Sequence, residues 1–162
     1  MSFLGLDLTR NYSFYAIPIA WGLAIAPHLY AVALFDKERA PGTAKWDVCN
    51  PRKNESNVKE AKLSPAIQDR FLRSEAANTN GTINFPIFIG AIIAGNYAKL
   101  SSKTLNTISA IYLISRVAYN VLYINNTSRS VGLARTASFF TGIIACFTVF
   151  VKAGNRVYDA VL

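Results

Sequence analysis

Between Arg10 and Asp36 the chain runs for 25 residues, 11–35, without a formal charge. Nothing else in the sequence constrains the fold as strongly, because about 20 consecutive apolar residues let a helix cross the hydrocarbon core of a bilayer. The run is too long, and starts too far from Met1, for a signal peptide, and no small-residue cleavage site follows it. Pro18 and Pro27 would break a soluble helix, but membrane helices tolerate proline where neighbours re-satisfy the backbone. Three further runs follow. Residues 76–98 carry no charge over 23 positions, residues 104–128 are interrupted only by Arg116, and residues 136–151 place 16 uncharged residues between Arg135 and Lys152. The long stems of that last pair can snorkel to the membrane interface.

Composition agrees. Charged residues make up 16% of the chain, against about 25% in ordinary soluble domains, while 52% hydrophobic content excludes disorder. The sequence therefore predicts an all-α, integral membrane four-helix bundle. A single domain covers 1–162, with spans near 12–35, 76–98, 104–126 and 134–152 and a connecting loop at 36–65. The second span is uneven. Its first half, AANTNGTIN, is polar and should face other helices or a water-filled cleft, since buried polar groups need partners. Residues 36–63 are densely charged, punctuated by Pro41, Gly42 and Pro51, and show no period, so they read as a solvated loop. Ser64 and Pro65 supply an N-cap and a first-turn proline for a helix starting there. There is no internal repeat and no low-complexity segment.

The net charge of +8 first suggests a polyanion partner. Its distribution argues otherwise. One side of the four spans holds Arg10, Lys99, Lys103, Lys152 and Arg156; the other holds eleven Lys or Arg, most of them in the first loop. Basic residues favour the cytosolic side, which predicts a cytosolic long loop and lumenal termini, in a membrane taken to be the endoplasmic reticulum. Most of the basic excess is thus a topology signal, and no nucleic-acid partner is expected.

Arg116 is the most informative single residue. A charge within a span costs a few kcal/mol at the least and usually marks a partner or a site. At helical spacing it shares a face with Tyr112, Tyr119, Asn120 and Tyr123. On the preceding helix Arg73, Ala77, Asn80 and Asn84 form a second stripe. Together with Arg129 these stripes can enclose an anionic, hydrogen-bonding ligand. Arginine would supply a bidentate carboxylate clamp, asparagine orienting amides, and tyrosine hydroxyl donors. Each asparagine alone is equally readable as interhelical glue, and Arg116 alone as half of a structural ion pair.

Other chemistry is thin. His28 needs a carboxylate or hydroxyl neighbour to act as a base; the nearest acid following it in sequence is Asp36, so helix packing is its plainer role. One histidine and two isolated cysteines, Cys49 and Cys146, make neither a metal site nor a disulfide. The glycosylation sequons at Asn11, Asn54, Asn80, Asn125 and Asn126 are weak signals, and on the predicted topology only Asn11 reaches the lumen. There is no phosphate-binding glycine loop, no nucleophile elbow and no zinc-protease motif.

Two segments carry a resemblance. RSEAANTNGTINFPIF, beginning at Arg73, resembles the second-helix signature of the MAPEG family, membrane-associated proteins of eicosanoid and glutathione metabolism. Arg73, Asn80 and the Phe85-Pro86-Ile87-Phe88 ending fall in register with it. RVAYNVLY, from Arg116 to Tyr123, is similar to the family's Arg-x-x-Tyr-x-x-x-Tyr motif, and Arg129-Ser130 to the Arg-Ser pair after it. The long first loop with Asn50-Pro51-Arg52 is similar to that of fungal members.

The resemblance implies a homotrimer of four-helix protomers with active sites between neighbours near the cytosolic face. There glutathione binds, and a lipophilic co-substrate arrives through the membrane lipids. It implies catalytic roles for Arg129, as the thiolate-stabilising arginine, and for Tyr119 and Arg116. Arg73, Asn80, Asn84 and Tyr123 would bind the cofactor. Ile83 departs from the pattern: it stands where the family has a glutamate that pairs with the amino group of glutathione. Asn84 and Ala76 stand where some members have Tyr and Arg. No metal is implied. The readings left open are a glutathione transferase-type enzyme, a glutathione-independent isomerase or cyclase of an apolar secondary metabolite, and a non-catalytic lipid-binding or scaffolding member.

Overall fold

The computed structural model describes residues 2–3, 6–7 and 9–161. Four long helices dominate: α1 (Ser13–Glu38), α3 (Pro65–Tyr97), α4 (Ser102–Ile124) and α5 (Arg129–Val161), with the short α2 (Asn54–Glu60) between the first two. Apart from a pairing of Ser2–Phe3 with Leu6–Asp7, the described residues hold no β structure. α3 and α4 each pack against both α1 and α5. Pro18, Pro27 and Pro86 all lie inside helices, as membrane helices permit.

Small residues set the packing. Ala16 and Ala20 of α1, Ala91 of α3 and Cys146 of α5 are buried beside Phe88, Ile92, Leu105, Tyr112 and Val149. Phe88 and Tyr112 stack with ring centroids 4.0 Å apart, pinning α3 to α4. At Gly81 a Cβ would lie 3.1 Å from Cα of Ala24, so α1 and α3 approach through small residues.

Three helices, α1, α4 and α5, are long and apolar enough to cross a membrane. α3 is not among them, although a span was expected inside it. Its polar half, with Asn78, Thr79, Asn80, Thr82 and Asn84, dilutes the apolar stretch that follows. Two helices, α3 and α5, also outrun their charge-free runs. α3 begins at Pro65, where the Ser-Pro signal puts it, and α5 covers 33 residues because charged turns extend it at both ends.

The first loop differs from its reading as a solvated connection. Trp46, Val58 and Leu63 pack on a second small core of Ala31, Leu34, Phe35, Ala61 and Phe71. Asn54 is buried and stitches the loop: its Oδ1 accepts from the Asp47 amide at 2.7 Å and its Nδ2 donates to the Asp47 carbonyl at 2.9 Å. At the opposite end of the long helices, Asn11, Ser13 and Asn96 share hydrogen bonds of 2.7–3.0 Å, and Asn106 ties the start of α4 to the Arg10 carbonyl.

Candidate functional site

The predicted residues divide among three places. Arg116 lies deep in the seam between α4 and α5, only 4% exposed. Its Nη2 donates to the Phe139 carbonyl at 2.9 Å, and its guanidinium carbon sits 5.1–5.3 Å from the ring centroids of Tyr112, Tyr119 and Phe139. No carboxylate approaches it among the described residues, so the ion-pair reading finds no acid. Nε and Nη1 are buried without a hydrogen-bond partner. Gly142 makes this seam possible: a Cβ there would stand 2.5 Å from Ser115 Oγ and 3.0 Å from Arg116 Nη2.

Tyr119 separates this seam from a pocket of about 180 Å³, lined by Asn80, Tyr119, Tyr123, Arg135, Thr136 and Phe139. Tyr119 and Tyr123 meet edge to face, and the Arg135 guanidinium lies 4.6 Å from the Tyr123 ring centroid. Asn80 lines the same pocket, and its Oδ1 is buried without a hydrogen-bond partner. Such an atom is costly unless something donates to it.

Through Arg135 and Thr136 the pocket adjoins an open groove of about 950 Å³ between the start of α3 and the α4–α5 turn. Arg70, Arg73, Arg129 and Arg135 all line it. The one acid present, Asp69, is already paired with Arg73, whose Nε also donates to the Ile124 carbonyl at 3.1 Å. Arg129 is exposed and makes no such pairing. Three uncompensated cations in one groove, beside a pocket lined by two tyrosines, favour an anion and would stabilise negative charge developing on it.

The other residues fall outside. Asn84 donates to the Asn80 carbonyl within its own helix. Asn120 crosses to α1, donating to the Leu23 carbonyl at 2.8 Å, and so serves as glue. Ile83 is 69% exposed and lines neither cavity. No group of three or more His, Cys, Asp or Glu able to hold a metal forms among the described residues.

Sequence reasoning missed Arg70, Arg135 and Thr136, having read Arg135 only as a flank of the last span. A signal was present: Arg129, Gly132, Leu133 and Thr136 follow helical-face spacing on α5, and Arg70 and Arg73 do so on α3. It also missed the acid that answers His28. Glu75 of α3 lies 2.9 Å from its Nδ1.

Comparison with known proteins agrees with the motif resemblance. Residues 17–155 match the MAPEG family, a region that includes most of each long helix and both cavities. No curated protein and no solved structure matches the chain. Apolar helices and family together make this an integral membrane protein, and the chain belongs to the MAPEG family.

Proposed function

We propose that this chain is a membrane enzyme acting on a lipophilic small molecule, a single four-span domain that assembles as a homotrimer. Its long loop is cytosolic, its termini are lumenal, and its membrane is the endoplasmic reticulum. On this reading α3 spans despite its polar half, because that half faces other helices. One observation carries the proposal: a pocket with an orphaned acceptor, Asn80 Oδ1, adjoins a groove lined by four arginines and only one, already paired, acid. Such a groove orients an anion. The tyrosine pocket beside it sets Tyr119 and Tyr123 beside the Phe139 ring, where the reacting part of a substrate would lie.

Glutathione fits this site in part. Its carboxylates suit the uncompensated Arg70, Arg129 and Arg135, with Arg73, held by Asp69, at the edge of the same groove, and a peptide N–H suits Asn80 Oδ1. When bound, glutathione would supply a thiolate nucleophile, which Arg129 would hold by charge. Tyr119 and Tyr123 would orient the co-substrate, and Arg116 would act from behind by fixing Tyr119. Its ammonium finds no free carboxylate: Asp69 is already paired with Arg73, and Ile83, on an exposed face that a neighbouring protomer would cover in the trimer, stands where the family has its glutamate; an unpaired charge is costly. That observation favours a second reading, a glutathione-independent isomerase or cyclase in which the arginines bind an anionic group of the substrate itself.

Glutathione binding by the purified protein, beside an Ile83→Glu variant, separates the two. Binding by the unaltered chain supports the transferase. Binding only after Ile83→Glu supports a site that has lost the cofactor. Turnover unchanged in Tyr119→Phe would remove that hydroxyl from the chemistry.

A further inference from the structure

His28 of α1 and Glu75 of α3 meet outside both cavities, lining neither the arginine groove nor the tyrosine pocket. Nδ1 of His28 lies 2.9 Å from Oε1 and 3.2 Å from Oε2 of Glu75. Among the described residues no Lys or Arg pairs with the Glu75 carboxylate, and Nε2 of His28 makes no hydrogen bond. A carboxylate that accepts from Nδ1–H fixes that tautomer and leaves the lone pair on Nε2. Trp46 packs edge to face on the imidazole, with ring centroids 5.8 Å apart. The two side chains stay 36% and 31% exposed, so the pair can be reached.

Holding α1 to α3 and α4 does not require this chemistry. Elsewhere the same helices are tied by neutral amides: Asn78 donates to the Ala24 carbonyl at 2.9 Å and Asn120 to the Leu23 carbonyl at 2.8 Å. His28 lies within the first span and Glu75 at the border of the second, where an ionisable pair is a costlier tie than such an amide and marks a candidate site. An imidazole with one nitrogen oriented by a carboxylate and the other open has the layout of a general base.

We propose that His28 and Glu75 form a proton-transfer site for an apolar carbon acid, a lipid-soluble molecule whose C–H bond is acidified by an adjacent carbonyl. His28 Nε2 takes the proton, and the C–H electron pair moves into the carbonyl as an enolate. The imidazolium then returns the proton to another carbon of the conjugated system, which shifts a double bond. Nothing is oxidised or reduced, and no co-reactant is needed. Glu75 is the positioning residue. The proposal rests on the reading of the chain as an enzyme for lipophilic molecules, but not on the arginine groove.

The test uses the full chain in detergent micelles with a nitrobenzisoxazole, a small apolar carbon acid. Loss of its ring proton to a base forms a nitrile from the C–H pair, breaks the N–O bond and leaves a coloured phenolate. The expected result is opening faster than in empty micelles. His28→Gln keeps a donor for Glu75 but has no basic nitrogen, and should lose about 10²-fold, the usual scale of general-base catalysis. Glu75→Gln should lose several-fold, and both variants should keep the wild-type helix content. A wild-type rate equal to that of empty micelles, or a His28→Gln rate equal to wild type, overturns the proposal. Anion binding by the unaltered protein tests the groove alone, so the two readings fail separately.

Discussion

Nη2 of Arg116 donates to the carbonyl oxygen of Phe139 at 2.9 Å, which ties the charge of α4 to the backbone of α5 rather than to an acid. Three aromatic rings within 5.3 Å of the guanidinium replace the missing counter-ion with π-electron density. Loss of this guanidinium should therefore destabilise the protein. Arg116→Ala should cost about 2 kcal/mol through the charged hydrogen bond alone. Arg116→Lys should rescue little, because a point ammonium cannot both stack and reach the carbonyl. Thermal unfolding in detergent measures both; equal melting of Lys and wild type would contradict this account.

Gly142 should be intolerant of even one methyl. In Gly142→Ala the new Cβ would meet Ser115 Oγ at 2.5 Å, and overpacking of this kind costs about 1–3 kcal/mol. Adding Ser115→Ala removes the atom in the way. The double variant should recover part of the loss, a coupling that a double-mutant cycle reads directly.

Anion binding at the groove should depend on salt. The groove is open to water, so its field is screened over about 10 Å at 0.1 M ionic strength. Arg129→Ala and Arg135→Ala should each weaken binding of a carboxylate ligand by about tenfold, the lower end for a hydrogen bond to a charged group. Arg135→Ala should also reshape the tyrosine pocket, whereas Arg129→Ala should not, since of these two arginines only Arg135 lines both cavities. Titration calorimetry at two salt concentrations distinguishes these effects.

The first loop should open without the bundle. Asn54→Ala removes both hydrogen bonds to Asp47, and Trp46→Ala removes the ring that touches Phe35 and Phe71. Each variant should be cleaved faster by protease within residues 40–64 while the long helices keep their helical signal. Cleavage at the wild-type rate would mean that the small core does not hold the loop.

The long helices were legible because charge is expensive in a bilayer, and the charge-free runs locate their middles. Their ends were not. Polar turns such as those at Arg129 and Arg156 belong to water-exposed helix and leave no gap in hydropathy. The loop core escaped notice because Trp46, Val58, Ala61 and Leu63 are scattered among charges without a period, and the surface they cover, Ala31, Leu34, Phe35 and Phe71, belongs to two separate helices. At the site, helical spacing grouped Tyr119 with Tyr123 but also grouped Asn120, which turns to a different neighbour. His28 and Glu75 are 47 residues apart on separate helices, and no periodicity connects them.

Trp46 is one of only two tryptophans, and it contacts His28 as well as the loop core. The chain thus carries its own optical reporter: with Trp21 replaced by Phe, indole emission comes only from the ring lying against the imidazole. Arrival of a guest at His28, or lifting of the loop from α1 and α3, alters the surroundings of that one fluorophore and can be timed without an added label.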